Sequence, residues 1–346
     1  MRAMLLVNPK ATTTHSRTTD VLIRALGAAV DLSVEETCYR GHAAVLASNA
    51  HAKGYDVVVV LGGDGTVNET VNGLLTPSDL DDHAPPAGSD TDGPGGRAPR
   101  TRSGGRSRPA VDGGAARRPA LAVIPGGSAN VFARALGLPN DPVEATGAIL
   151  EALRDGRRRS VGLGQALWED ESRYFTFCSG LGYDAEVIRA VEGLRSAGYT
   201  ARHTLYMGTA LRHFLMTDRR HAAMSVEGPG ISSTDGVFMA IITNTSPWTY
   251  VGQYPVTPTP WSSFDTGLDM LGLRRLKLSN ILALVPQILG ERDTLPIGRN
   301  LFQLHDEAEF TLTAERPTAF QLDGDYLGER ERVTFRSIPQ ALQVLV

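Results

Sequence analysis

The stretch Val57-Val-Val-Val-Leu-Gly62-Gly63-Asp64-Gly65-Thr66-Val-Asn68-Glu69 decides the fold. Its apolar, largely β-branched start predicts a central parallel strand buried on both faces. Three glycines around one aspartate end that strand, and a helical pattern follows from Thr66. Glycine reaches positive φ and lets a ligand approach the backbone. The N-terminus of the following helix offers free N–H groups and the positive end of its dipole. The turn therefore fits a nucleotide phosphate. Asp64 has the wrong charge to hold phosphate and is the candidate for Mg²⁺ or for positioning an attacking hydroxyl. The pattern is neither GxxxxGK[ST] nor GxGxxG. Lys10, one of only three lysines, follows the first strand and is placed to reach a phosphate.

Outward from this turn, strands at Ala3–Val7, Leu32–Cys38, Asp56–Leu61 and Ala120–Ile124 alternate with helices. The helices are expected at Thr18–Val30, Gly41–Lys53, Thr66–Leu75, Ala129–Leu136 and Pro142–Leu153. Such an order predicts right-handed crossovers and a doubly wound α/β sheet. A second turn, Gly126-Gly127-Ser128-Ala129-Asn130, repeats the design after the next strand. There Ser128 would donate to phosphate or cap the helix. Two neighbouring parallel strands that each deliver a glycine turn to one sheet edge predict a nucleotide crevice.

The segment 77–118 interrupts the pattern. It is rich in Gly, Pro, Asp and then Arg, with Leu80 and Val111 as its strong apolar side chains. A disordered surface insertion is expected, since so little apolar area cannot offset ordering entropy. An Arg-rich arm touching anionic headgroups is the alternative.

Beyond residue 155 the texture changes to short alternating strands at Tyr174–Cys178, His221–Val226, Val237–Thr243, Met270–Leu273, Glu309–Ala314, Thr318–Leu322 and Arg332–Phe335. Helices are expected at Arg202–Met216, with a minority reading as an acyl-chain contact, and at Ser279–Leu289. Together these predict an antiparallel β-sandwich. The expected domains are 1–155 and 156–346, with the extreme C-terminus as a candidate to return to the first.

The 346 residues carry a net charge of −4, which argues against nucleic acid as a partner. No apolar run approaches the ~18 residues of a membrane span. Arg2 alone precedes the first strand and no small-residue cleavage site follows it, so no secretory leader is expected. Cys38 and Cys178 read as reduced core residues. The expectation is a cytoplasmic protein.

Gly62–Thr66 with Asn68-Glu-Thr-Val-Asn-Gly73 resembles the catalytic domain of diacylglycerol kinases and sphingosine-type lipid kinases. So do Asn8-Pro9, Arg40-Gly-His-Ala43, the Gly-Ser-Ala-Asn-Val-Phe-Ala-Arg turn, Gly180-Leu-Gly182-Tyr-Asp184, Asp265-Thr-Gly-Leu-Asp269 and Gln321-Leu-Asp323-Gly324-Asp325. The resemblance implies ATP and lipid meeting in a cleft between an α/β domain and a β-sandwich. It implies a nucleotide set of Asn8, Lys10, Gly62, Gly63, Asp64, Gly65, Thr66, Asn68, Glu69, Gly126, Gly127, Ser128 and Asn130. Asp64 and Asp325 would be catalytic, with Asp325 accepting the hydroxyl proton. Asp64, Asp184, Asp265, Asp269 and Asp323 would be metal ligands, and ATP with Mg²⁺ the cofactors.

Four positions depart from the family, the first being Ser128 for a Thr in the second turn, which keeps the hydroxyl. Val131 stands for an Asp in the second turn, Thr266 for a Gly in the loop that often holds a structural metal, and Asp325 for a Glu. The reading is an ATP-dependent kinase of diacylglycerol or a related lipid, in transient contact with the inner face of the membrane, with a homodimer among the open assembly states. A kinase of a sphingoid base or of NAD, or a catalytically weak nucleotide-binding sensor, are the alternatives.

Overall fold

The computed structural model describes residues 1–11, 16–75, 118–182, 224–275 and 277–346. Most of the expected insertion, Asp184 and the helix expected at Arg202–Met216 lie outside the described residues.

The N-terminal part is a four-stranded parallel sheet of β1 (Arg2–Val7), β2 (Asp31–Glu36), β3 (Val57–Gly62) and β4 (Ala120–Pro125) in the order β2-β1-β3-β4. Helices α1 (Ser16–Ala29) and α5 (Pro142–Asp155) cover one face, while α2 (His42–Ala52) and α3 (Asp64–Leu75) cover the other. The alternation along β3 shows why its sequence has no polar face. Val57, Val59 and Leu61 pack on Leu22, Leu26 and Ile149, whereas Val58 and Val60 pack on Ala47, Val67 and Val71. Burying each such side chain contributes about 1.5–3 kcal/mol, so β3 anchors both layers at once. The expected doubly wound α/β half is present.

The C-terminal part is antiparallel, as expected. It comprises β5 (Arg159–Trp168), β6 (Glu171–Phe175), β7 (Cys178–Gly182), β8 (Met224–Gly228), β9 (Ile231–Val237) and β10 (Met239–Thr243). It continues with the hairpin β11 (Thr249–Val251) and β12 (Tyr254–Val256), then β13 (Leu268–Leu273), β14 (Leu301–Glu307), β15 (Glu309–Leu322) and β16 (Asp325–Val344). Its core is aromatic: Phe175, Phe310, Phe320 and Phe335 are fully buried, and Trp168 meets Phe320 edge to face at 5.2 Å. One more helix, α6 (Leu278–Ile288), packs Leu284 onto Met239, Ile241, Leu271 and Leu273.

The two parts share one hydrogen-bonded sheet. The end of β16 pairs in parallel with β4 at Val344 and Leu121, and Leu345 N–H donates to the Leu121 carbonyl at 2.9 Å. Leu342 and Val344 enter the core on one face of the parallel sheet, and Leu345 enters the core on the other.

Sequence periodicity reads several elements short. Glu309–Ala314 and Thr318–Leu322 are one strand with a register shift, and Arg332–Phe335 is the middle of a twenty-residue strand. Charged outward residues and Pro339 mask its alternation. Cys178 is buried as expected, but Cys38 is exposed just past β2, where its N–H donates to His42 Nδ1. No helix among the described residues is long and apolar enough to cross a membrane.

Candidate active site

A cleft of about 930 Å³ opens where the carboxyl ends of β1, β3 and β4 face the C-terminal part. Its floor is the two glycine turns, and they fit only because both lack side chains. Gly126 N–H donates to the Gly62 carbonyl at 2.8 Å. A Cβ on Gly127 would stand 2.7 Å from the Gly63 Cα, inside any real contact distance. The turns are therefore stacked backbone on backbone, with Gly63, Gly65, Thr66, Gly127 and Ser128 facing the cleft.

Around this floor the side chains expected to touch nucleotide divide into two groups. Asn8, Lys10, Asp64 and Ser128 line the cleft, as does Asp325, the expected proton acceptor. Asn8 also holds the floor, because its Nδ2 donates to Thr66 Oγ1 at 2.9 Å and its Oδ1 accepts from Lys10 N–H. Asn68, Glu69 and Asn130 act on the protein itself. Asn68 is wholly buried; its Nδ2 donates to the Tyr174 carbonyl and to Asp323, while its Oδ1 accepts two bonds from Arg173. Those partners leave it no face for a nucleotide. Glu69 also lines the cleft but accepts from Gly41 and Ala43 N–H groups at the start of α2, and burial raises its pKa. Asn130, at φ 50°, closes the second turn by accepting from Gly127 N–H and donating to the Gly127 carbonyl.

Asp64 is the first residue of α3 and aims at the start of the short helix α4 (Val131–Ala135), where Phe132 N–H donates to its Oδ1 at 3.2 Å. The N-terminus of α4 is thus turned to Asp64 rather than held open for an anion. Asp64 is partly open to the cleft and enclosed by backbone elsewhere. That desolvation outweighs the helix N–H groups and raises its pKa to about 6.

Asp323 and Asp325 flank Gly324 in the hairpin between β15 and β16. Positive φ at both Asp323 (47°) and Gly324 (81°) is the type I′ geometry that Asp-Gly supplies. Asp323 was expected to ligate metal. Instead it accepts five hydrogen bonds of 2.7–3.0 Å: one from Asn68, two from Thr176 and one each from the Phe177 and Cys178 N–H groups. A carboxylate offers about four lone-pair directions, so its capacity is filled by protein. Desolvation by burial raises its pKa.

Asp325 does not cap the turn, because Gly324 N–H donates to Gln321 Oε1. It lies in the cleft between Arg40 and Arg173, each 3.4 Å from its Oδ2, and a Cβ on Gly65 would be 3.8 Å from its Oδ1. Arg173 was not legible as a site residue, since only the folded chain brings β6 against α3.

Asp265 and Asp269 are not brought to this cleft. Asp265 pairs with Arg159 at 2.7 Å. Asp269, buried with a raised pKa, lies 2.9 and 3.0 Å from His305 Nδ1 and accepts from Asp306 N–H. Asp184 lies outside the described residues. Among those described, no three His, Cys, Asp or Glu side chains converge as a metal cage.

The far wall of the cleft is apolar and was missed by sequence reading. Trp248, Tyr250 and Val256 from the hairpin β11–β12 meet Val285, Ile288 and Leu289 from α6 and its end. The Arg134 guanidinium, on α4, stacks 3.1 Å from the Tyr250 ring centre and ties this wall to the second glycine turn. The aromatic alternation Trp248-Thr-Tyr250 after Pro247 was the available signal. The cleft therefore has a polar glycine floor and a greasy wall.

Residues 2–166 match the family model of the diacylglycerol kinase catalytic domain. A diacylglycerol kinase of Staphylococcus saprophyticus is 29% identical over 176 residues, which is 50% of this chain and 43% of that protein. One of Staphylococcus aureus (strain JH9) is 25% identical over 246 residues, 66% of this chain and 65% of that protein. The alignments thus span less than two thirds of those relatives. A solved diacylglycerol kinase structure from Bacillus anthracis str. Sterne shares the fold, with a TM-score of 0.64 at 19% identity, covering 99% of this chain and 96% of that one.

Proposed function

From the match of residues 2–166 to the family model of the diacylglycerol kinase catalytic domain, we propose that the chain transfers the γ-phosphoryl group of ATP to the hydroxyl of diacylglycerol or a closely related lipid. The observation that carries this reading is the cleft with two chemistries. The stacked glycine turns and the N-terminus of α3 suit a polyphosphate, and the wall of Trp248, Val256, Val285 and Ile288 suits an acyl chain.

Phosphoryl transfer needs charge neutralisation, alignment and a place for one proton. Mg²⁺ usually binds through one or two carboxylates plus substrate phosphates rather than an all-protein cage. The donor set fits, because Asp64 lines the cleft and, unlike Asp325, has no arginine against it among the bonds described above. Asp64 would hold the ion, whose charge would neutralise the phosphates. The stacked turns would fix the phosphates, and Lys10 and Arg40 would add positive charge at the rim. Asp325, held by Arg40 and Arg173, would take the hydroxyl proton of the lipid.

The test is transfer of label from γ-labelled ATP across a panel of lipids in mixed micelles, with NAD as a control acceptor. Label on diacylglycerol is expected. Label on NAD alone would replace this reading with the soluble-substrate one.

If Asp325 is the base, Asp325→Asn is expected to lower kcat by roughly 10²–10⁴-fold with little change in ATP affinity. Asp325→Glu should keep activity. A wild-type kcat in the folded Asn variant removes Asp325 from the chemistry.

A methyl group at Gly127 must push the two turns apart. Gly127→Ala is expected to destabilise the chain by about 1–3 kcal/mol and to weaken ATP binding at least about tenfold. Calorimetric titration and thermal melts check both. An Ala variant that binds ATP normally would place the nucleotide elsewhere.

A further inference from the structure

The outer face of α6 is apolar where a surface helix should be polar. Leu278–Ile288 contains no charged residue. Its inner face is accounted for, with Leu284 buried and Ile281 and Ile288 packed on the sheet. Leu282, Val285 and Leu289, spaced by three and four residues, lie on another face and remain exposed, Leu282 at 64%. A helix that carries apolar residues on an outer face as well as its inner one needs a second apolar environment.

Neighbouring segments extend the same patch. Gly290 N–H donates to the Pro255 carbonyl, which fixes the hairpin tip beside the end of α6 and exposes Tyr254 at 68%. Gln287 on α6 accepts from Ile297 N–H and donates to its carbonyl, holding the 83%-exposed Ile297 against the helix. The charges around the patch oppose those of the whole chain. Residues 274–299 hold five Arg or Lys against two acids, although the chain carries −4. Val285 and Leu289 also line the cleft, so the patch runs from the surface into the apolar wall of the site.

We propose that the outer face of α6, with the β11–β12 tip and the Ile297 loop, docks on a bilayer bearing anionic headgroups. Basic flanks would meet the headgroups while Leu282, Tyr254 and Ile297 enter the acyl boundary. A lipid hydroxyl could then pass along Val285 and Leu289 to the cleft without crossing water. The last step rests on the lipid-kinase reading, whereas docking itself does not.

The full chain is sedimented with vesicles of phosphatidylcholine alone and with added phosphatidylglycerol. Binding to the anionic vesicles is expected, weakening as salt rises. Leu282→Gln with Ile297→Gln, neither of which lines the cleft, should lower the partition at least about tenfold. Those substitutions should leave turnover of a short-chain, water-dissolved diacylglycerol unchanged. Lys277→Glu with Arg299→Glu should remove the preference for anionic vesicles and checks the surface independently. Wild-type vesicle binding by the Gln pair would overturn the proposal. So would a concentration-dependent dimer that the Gln pair dissolves, in a chain that binds no vesicles, since the patch would then belong to a second copy. Vesicle binding without turnover of any lipid supports docking and defeats the kinase reading alone.

Discussion

Asp64→Asn is expected to abolish turnover and, at neutral pH, to make the protein more stable. The two effects share one cause. The carboxylate sits on the cleft floor, where desolvation raises its pKa from 3.8 to about 6. A raised acid pKa means that the folded chain holds its proton more tightly than the unfolded chain. Stability is therefore fully present below about pH 4 and is lost as pH rises through about 6. A shift of about two units corresponds to about 3 kcal/mol, reduced by screening on the side open to the cleft. Asparagine keeps an oxygen for the Phe132 N–H and carries no charge, so it removes the penalty. It also removes the proposed metal carboxylate, for which a loss of at least about a hundredfold in kcat is expected. Melts of both proteins should converge near pH 4 and separate near pH 8, with the variant higher. An Asn variant that turns over normally, or that melts with the wild type near pH 8, would overturn the assignment.

Asp323→Ala should act in the opposite sense. Removing this carboxylate leaves the Thr176, Phe177 and Cys178 N–H groups facing a buried gap. Each orphaned donor costs about 1–3 kcal/mol. The left-handed φ at this position adds about 1–2 kcal/mol against alanine. Removing the buried charge also relieves its desolvation and offsets part of this, so a net loss of about 3–5 kcal/mol is expected, close to the whole stability of a marginal domain. Denaturant titration measures it directly. A variant within ~1 kcal/mol of wild type would show that the hub does not hold the two parts together.

These two aspartates show what a sequence does and does not reveal. Asp64 was legible because everything that makes it special is local: a buried strand, a glycine turn and a helix start within ten residues. The parallel half was legible for the same reason, since β1 from Ala3 onward, β3 and β4 are buried and carry no polar interruption, with the exposed edge strand β2 as the exception. Asp323 looked like a ligand because acid residues around a glycine look alike in sequence. Its donors lie in β6–β7 and on Asn68, 255 residues away, and only the folded chain brings them together. Sequence separation also hid Arg173, 105 residues from Asn68 and 152 from Asp325, and it turned Asn68 from an expected nucleotide contact into a buried strut. The apolar wall was missed because its residues come from two short segments, each unremarkable alone.

The pairing of β16 with β4 has a consequence for how the chain is made. The partners Leu121 and Val344 are separated by more than two hundred residues. As the chain leaves the ribosome, the parallel sheet is complete through β4 long before its neighbour exists, and its edge stays open throughout. Open edges of this kind invite pairing with other chains, and contacts so distant in sequence form late. The nascent N-terminal part must therefore wait, with its edge unprotected, for the residues that close it. Shielding of that edge during synthesis, rather than the strength of the finished fold, would then set how much of the chain reaches the native state.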